Sequence, residues 1–312
     1  MSLVSPTLRP RTSSGDSVEI CHRVEPMELH RVTVEDLDEY VEADDKQQGV
    51  VTSDVWGTDI ATSDAPSSEF EDAPFAVHSR EIRKMWAEPD ASDVQVRGKT
   101  YMDDQVKVPA GKSIGQLLHV DLWKFDTAEE RHHLAMKEET RPQSVLAHCR
   151  DKFPDSLVFI VNIELPNADN LSLVVYWLLP AEEQQDAVFY RLLNRFCNEG
   201  DDEFRNNRFK LIPNLVEGPW ILQTLVPNRP ALTGTKLTQR YFRRSNYFEL
   251  DLDVASSTTA QYIGSMCQSW ASYLQMHLYL TIQGENEDEL QERILGGVDV
   301  SYLNLELAKE FN

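Results

Sequence analysis

The sequence predicts an α+β fold built on a curved, mainly antiparallel sheet that a few helices pack against. Segments of alternating or continuously apolar residues follow one another closely and are joined by short turns, which is typical of antiparallel strands. Fewer segments repeat apolar residues at helical spacing. No internal repeat of about 20 to 50 residues is visible, so a repeat architecture is not indicated.

The first 85 residues differ in character from the rest of the chain. They are rich in Ser, Thr, Asp and Glu, and their apolar residues keep no sustained period. We therefore expect a largely disordered acidic arm over residues 1–85 and a single domain over residues 86–312. Two short pieces of the arm, residues 26–41 and 79–86, have the composition of helices that form when docked.

The central part of the chain predicts a hairpin followed by a helix. LVFIVNIEL (residues 157–165) and LSLVVYWLL (residues 171–179) are rich in β-branched and aromatic residues, and PNADN between them supplies turn chemistry. The next segment, AEEQQDAVFYRLLNRF (residues 181–196), places its apolar residues on one helical face, with acids in the first turn.

The C-terminal third predicts a strand, a helix and a strand. NYFELDLDV alternates strictly, so Glu249, Asp251 and Asp253 share one face, which we expect to be structural or solvated. A helix is predicted from Ser257 to Leu274, and a strand with period two follows from Gln275.

Charge and composition exclude several classes of protein. The 312 residues carry 30 Lys and Arg against 52 Asp and Glu, a net charge of -22, which argues against delocalised binding to nucleic acid. The four cysteines form no CxxC pair, so a reducing compartment is indicated. The N-terminus lacks the apolar core of a signal peptide, and no run approaches the roughly 20 apolar residues of a membrane span. We expect a cytoplasmic protein whose membrane contact, if any, is peripheral.

No catalytic, cofactor or metal motif stands out. The sequence has no phosphate-binding glycine loop, GxSxG elbow or HExxH helix. Adjacent histidines, His132 and His133, do not face the same way on a helix, and His148 beside Cys149 is not the geometry of a catalytic pair. The sequence therefore predicts a non-enzymatic protein with no cofactor and no metal.

One basic segment interrupts this acidic chain. Residues 204–248 hold eight cations and a single acid, Glu217. These cations flank apolar segments and a hairpin turn, where they could reach phosphates or anionic headgroups. Pairing with nearby acids, including Asp201 to Glu203 and the acidic arm, is an equally weighted alternative.

Three blocks carry a resemblance to a known family. They are VRGKTYMDDQVKVPAG with VDLW, then FRNNRFKLIPNLVEGPWI with PALTGTKLTQRYF and NYFELDLDVASS, and finally ELQERILGGVDV. In order and spacing they resemble the C-terminal domain of the plant Enhanced Disease Resistance 2 family, from about Trp86 to the end. The resemblance implies lipid and membrane association, because this domain often follows lipid-binding modules in plants and works in negative regulation of defence and cell death. The family has no established catalytic residues to carry over.

The functional hypothesis is a non-enzymatic regulatory domain that binds a lipid or an anionic membrane surface. The predicted lipid- or phosphate-binding residues are Arg205, Arg208, Lys210, Lys236, Arg240, Arg243 and Arg244, and we call them the basic island. The candidate pocket or interface aromatics are Trp220, Tyr241, Phe242 and Tyr247. By analogy, the helix from Ser257 could close the sheet as in START-like helix-grip folds. The alternatives are a protein-interaction module, reading a small GTPase or a trafficking partner, and thirdly an uncharacterised enzyme.

Overall fold

The computed structural model describes Ala73, Phe75 and residues 80–180, 186–226 and 229–311. Within these residues the strands are β1 (Trp86–Ala87), β2 (Gln95–Arg97), β3 (Lys107–Pro109), β4 (Gln116–Lys124), β5 (Leu157–Glu164), β6 (Leu171–Leu179), β7 (Phe209–Glu217), β8 (Ala231–Leu232), β9 (Thr238–Arg243), β10 (Tyr247–Asp253), β11 (Gln275–Ile282), β12 (Ile294–Ser301) and β13 (Lys309–Glu310). The helices are α1 (Tyr101–Asp104), α2 (Leu134–Thr140), α3 (Val145–Lys152), α4 (Ala187–Asn194), α5 (Asp202–Asn206), α6 (Trp220–Leu225) and α7 (Thr258–Ser269).

Two large sheets organise these elements. The five-stranded sheet has the order β1-β12-β11-β7-β8, and the six-stranded sheet has the order β13-β4-β6-β5-β10-β9. Strands β5 and β6 form the predicted antiparallel hairpin. Most pairs are antiparallel, but β10 runs parallel to β5 and β13 runs parallel to β4. The predicted α+β class with a mainly antiparallel sheet is thus confirmed.

The main core lies between the two sheets. Alternate residues of the six-stranded sheet, such as Phe159 and Val175, pack in one cluster with residues of the five-stranded sheet, such as Leu280 and Val298. Helix α4 adds its apolar face to this cluster, as the spacing of its residues predicted. The opposite face of the six-stranded sheet packs against α2 and α3. The layers are therefore helices, sheet and sheet.

Helix α7 differs from its prediction in length and in what it covers. It ends at Ser269, and a short 3₁₀ turn, Ala271–Tyr273, leads to β11. None of its residues is fully buried. Its apolar side, Ile263 and Met266, packs with α6 on a small cluster at the ends of β7 and β11. Helix α7 therefore covers a corner of the five-stranded sheet.

Residues before the predicted domain boundary also reach the core. Phe75 is buried and its ring meets His119 and His148 edge-on, with centroids 5.1 and 5.3 Å away. Ala73 and Ile82 are buried as well, and Ile82 begins a 3₁₀ helix inside the predicted helical piece 79–86. The helical piece at residues 26–41 lies outside the described residues. The division into arm and domain at residue 85 stays a prediction.

Candidate functional site

Two members of the basic island point into the protein. The side chains of Arg208 and Lys210 are only 6% and 3% exposed. Arg208 Nη1 lies 2.6 Å from Glu289 Oε2, and Lys210 Nζ lies 3.1 Å from Glu292 Oε1. Both acids belong to the ELQERI block. These two cations therefore hold the C-terminal block onto β7 and do not present their charge to a membrane in this structure.

The other five cations of the island do not gather on one surface. Arg205 pairs with Asp202 at 3.1 Å, and its guanidinium stacks on Tyr241. Arg240, in the middle of β9, lies within 4 Å of Glu164 and Asp253. Lys236 follows a 3₁₀ turn ahead of β9 and is half-buried. Arg205 lies on the face of the six-stranded sheet that carries Tyr241, whereas Arg240 lies on the opposite face with Asp251 and Asp253, because successive residues of β9 alternate.

Arg243 and Arg244 are exposed at the β9–β10 turn, but they face opposite sides of the sheet. Arg243 donates to Asn198 Oδ1 at 2.8 Å, on the side of α4. Arg244 hydrogen-bonds to Tyr247 on the side of α2, and burial, reinforced by the charge of Arg244, lowers the pKa of His133. Headgroup binding by the island stays a prediction, and these two residues are its most accessible members.

Three of the four predicted aromatics are held by packing. The Phe242 ring stacks on His133 with centroids 3.9 Å apart, and Tyr247 is fully buried with its hydroxyl 3.0 Å from His133 Nε2. The Tyr241 hydroxyl donates to Asn206 Oδ1 at 2.8 Å. Trp220, in contrast, is 77% exposed. Of the predicted set, Trp220 is the one that is free to meet a ligand surface as the structure stands.

Trp220 belongs to an exposed group that the sequence analysis did not assemble. Eight large apolar or aromatic side chains are exposed in the described part of the chain, and five of them lie at the corner formed by α6, α7 and the ends of β7, β11 and β12. We call these five the aromatic surface: Val216, Trp220, Trp270, Tyr273 and Tyr302. Contiguous exposed apolar side chains of this kind mark interaction sites.

The local folding of the chain explains why these side chains point outward. Pro219, with φ of -55°, starts α6 directly after β7, so Trp220 stands in the first turn of a short helix. Beneath it, Leu222 and Leu274 are buried in the cluster shared with α7. Trp270 precedes the 3₁₀ turn and Tyr273 ends it, and their ring centroids are 6.0 Å apart. The cluster below is filled, so the aromatic rings above it are left in solvent.

The aromatic surface is also unusually free of charge. Residues 254–284 contain no Asp, Glu, Lys or Arg, although 26% of the chain is charged. The α6 residues WILQTL are uncharged as well. At the rim, Tyr302 donates to Glu217 Oε2 at 2.6 Å. This uncharged stretch is the sequence signal that could have identified the surface.

The face of β10 that was expected to be structural or solvated is not solvated, because Glu249 and Asp251 are completely buried. They lie on the face of the six-stranded sheet that residues 129–141 cover. The Ala135 amide donates to Glu249 Oε2 at 3.1 Å, and the His133 amide donates to Asp251 Oδ2 at 3.0 Å. Asp253, at the end of the strand, is half-buried.

The same face carries further polar residues from β4, β5 and α2. They include Asp121, Asn162, Glu164 and Glu138, all buried. Burial, reinforced by Asp121, raises the pKa of Glu138 to about 7, although the ion pair with Arg141 acts in the opposite direction. Burial also raises the pKa of Asp251 to about 7 and that of Glu249 well above its ordinary range. We call this set of residues the buried polar layer.

A crevice of about 440 Å³ lies on another part of the protein, between α4 and the loop before β12. Charged side chains, Lys99 and Arg293, share its lining with Val188 and Phe189. It is open to solvent and half polar, unlike the apolar interior cavity that encloses a lipid in transfer folds. Among the described residues, no helix is long and apolar enough to cross a bilayer.

Comparison with known proteins identifies the family of the chain and curated relatives. The family model described as Protein ENHANCED DISEASE RESISTANCE 2, C-terminal, matches residues 86–304. A protein of Arabidopsis thaliana named Protein ENHANCED DISEASE RESISTANCE 2-like is 31% identical over 256 residues, which cover 80% of this chain and 34% of the relative. The chain thus matches about a third of the length of that relative. No solved structure matches the chain.

Proposed function

The chain belongs to the Enhanced Disease Resistance 2 C-terminal family, and we propose that it is a non-enzymatic regulatory domain that binds a lipid membrane surface. The observation that carries this proposal is the aromatic surface. Two tryptophans and two tyrosines form it together with Val216, and the helices that present it carry no charged side chain. Tryptophan and tyrosine favour the boundary between headgroups and acyl chains, because their rings are apolar and their polar atoms can stay hydrated.

The exposed area is sufficient for a measurable affinity. Trp220 is 77% exposed and Tyr273 is 65% exposed. Inserting Trp220 alone would remove roughly 150 Å² from water, which contributes on the order of 3 to 4 kcal/mol. The other rings add to this amount, and immobilising the protein on the surface offsets part of it.

The acidic net charge of the chain favours membrane binding through an uncharged region. A chain with a net charge of -22 is repelled by an anionic surface unless it approaches with an uncharged or basic region. Residues 254–284 provide an uncharged region, and insertion of such a region depends little on salt. Arg243 and Arg244 lie at the opposite end of β10, whose seven residues span about 20 Å. Contact between these arginines and headgroups would therefore need a second orientation of the protein.

Vesicle flotation tests the proposal. The wild-type chain should float with neutral phosphatidylcholine vesicles, and binding should change little between low and high salt. The Trp220→Ser/Tyr273→Ser variant should bind about 100-fold more weakly, because the two most exposed rings of the surface are removed. Both side chains are exposed, so the fold should be unaffected.

A matched control removes two exposed apolar side chains elsewhere. The Met102→Ser/Met136→Ser variant alters residues on α1 and α2 that are 38% and 45% exposed, and it should bind vesicles as the wild type does. Equal binding by the Trp220→Ser/Tyr273→Ser variant and the wild type would overturn the proposal. Failure of the wild type to float with vesicles of any composition would also contradict the proposal. The aromatic surface would then be assigned to a protein partner.

A further inference from the structure

We propose that His132, Glu164 and Asp251 bind a divalent transition-metal ion, with Zn²⁺ as the best-matched ion. The sequence predicted no metal, because His132 and His133 cannot share one helical face. The structure instead brings His132 together with two carboxylates that are distant in sequence. One ligand atom from each of the three residues lies within 4.8 Å of the other two.

The fold positions each ligand from a different element. His132 follows a 3₁₀ helix, Glu129–Arg131, that crosses the sheet, and its Nδ1 lies 2.6 Å from Glu164 Oε1. Glu164 ends β5 and Asp251 lies in β10, which pairs with β5 in parallel register. One imidazole nitrogen and two carboxylates form a ligand set that suits Zn²⁺ or Mn²⁺.

Unpartnered acceptors on the same face point independently to a cation. Among the described residues, Glu164 Oε2 and Asn162 Oδ1 have no hydrogen-bond donor. Both residues are 0% exposed and lie on β5, where Asn162 is paired in register with Asp251 of β10. Buried acceptors without donors are unfavourable and call for a bound partner. Because both atoms are acceptors, a positively charged ion is a partner that fits.

Two arginines lie near the site and limit how the ion can bind. Arg131 Nη2 and Arg240 Nη1 are 3.9 and 3.8 Å from Glu164 Oε2, beyond hydrogen-bond distance. Their charges oppose a cation, but neither arginine donates a hydrogen bond to Oε2, so this oxygen stays open to the ion. Two ionised carboxylates and a neutral imidazole would form a ligand set of charge -2 for a divalent ion.

The surroundings supply orientation and access. Asp251 Oδ1 accepts from Asn162 Nδ2 at 3.0 Å and Oδ2 accepts from the His133 amide, so the carboxylate is fixed in place while each oxygen keeps a free lone pair. The His132 side chain is 28% exposed, whereas that of Glu164 is fully buried. An ion could therefore reach the carboxylates along the edge of His132.

Zinc titration of the full chain, after treatment with a chelator, tests the site. Calorimetry should show one tight equivalent of Zn²⁺, and Tm should rise by about 5 °C or more when free Zn²⁺ is about 100 times Kd. Calcium and magnesium should have little effect, because both prefer sites made only of oxygen ligands. Absence of zinc binding, or of a rise in Tm, would overturn the proposal.

Variants locate the ion. The His132→Ala variant should lose the tight equivalent, whereas His277→Ala should keep it; His277 is a matched control because it lies 3.8 Å from Asp299 in a second histidine–carboxylate pair. X-ray absorption is measured on the zinc-loaded wild type, so the result holds even if a variant misfolds. It should show one imidazole with oxygen ligands, and sulfur ligands would contradict the assignment. A tight site that survives His132→Ala in the titration would contradict it as well.

Discussion

Replacing Lys210 with methionine should destabilise the fold by about 3 kcal/mol. The ammonium lies 3.1 and 3.4 Å from the two oxygens of Glu292, and both side chains are almost fully buried. Removing one partner of a buried ion pair typically costs about 3 to 5 kcal/mol, because the other charge is left uncompensated. Glu292 still accepts hydrogen bonds from the backbone amides of Arg97 and Gly284, and the Arg97 guanidinium stays 3.9 Å from Oε1. The expected loss is therefore near the lower limit.

Urea denaturation and thermal melting measure this effect. For a domain of this size, 3 kcal/mol corresponds to a Tm that is lower by about 10 °C. The Lys210→Met/Glu292→Gln variant should recover part of the loss, since neither charge of this pair then remains buried, whereas Arg97, 3.9 Å from Glu292 Oε1, loses that carboxylate. Arg244→Met, an exposed member of the island, should cost below about 1 kcal/mol. A loss below about 1 kcal/mol for Lys210→Met would refute the idea that this cation is an internal structural element.

Three further predictions follow from the described residues. Phe75→Ala should lower the free energy of unfolding by about 3 kcal/mol because the ring is buried. Deletion of residues 1–72 should leave it nearly unchanged. A loss of similar size for the deletion would place the domain boundary earlier in the chain. Burial raises the pKa of the Glu138 carboxyl from 4.5 to about 7 in the folded protein, so the wild type loses stability as the pH rises from 5 to 8. Glu138→Gln lacks this ionisation and should gain on the order of 3 kcal/mol relative to the wild type over the same range. A stability difference that does not change with pH would contradict this. Reversing Arg243 and Arg244 to glutamate should leave flotation with neutral vesicles unchanged and lower the additional affinity for anionic vesicles by about 1 kcal/mol per charge; unchanged binding to anionic vesicles would exclude these two residues from headgroup contact.

The strands were predictable because their signals are local. The segments 157–165 and 171–179 correspond to β5 and β6 almost residue for residue. The β-branched composition and the intervening turn are enough to specify such a hairpin. The parallel pairing of β10 with β5 was not predictable, since it joins segments about 90 residues apart and leaves no mark in either one.

The polar face of β10 shows a second limit of sequence patterns. Alternation correctly identifies which residues share a face, but it does not say what covers that face. The pattern left open whether protein or water covers Glu249 and Asp251, and in the structure the backbone of residues 133–135 donates hydrogen bonds to both. A strand beside solvent and a strand beside a buried polar layer have the same period.

The basic island shows why a cluster in sequence is not a cluster in space. Lys210 on β7 and Arg208, directly before it, alternate with apolar residues, which is the pattern of a polar strand face. Their acidic partners lie about 80 residues later in the chain, so the pairing emerges only when the C-terminal block folds onto β7. The aromatic surface, in contrast, does have a local signal, because residues 254–284 are uncharged and Trp270 and Tyr273 lie within them.

Quenching of Trp220 fluorescence by lipid is the most direct test of the membrane proposal. Neutral vesicles with brominated acyl chains are added to the wild type and to Trp220→Phe, and the difference between the two reports on residue 220. The account predicts that the emission of Trp220 is quenched and shifted to the blue, since the ring leaves water for the boundary between headgroups and acyl chains. Emission from Trp220 that stays unquenched and unshifted while the protein floats with vesicles would show that another surface binds the membrane.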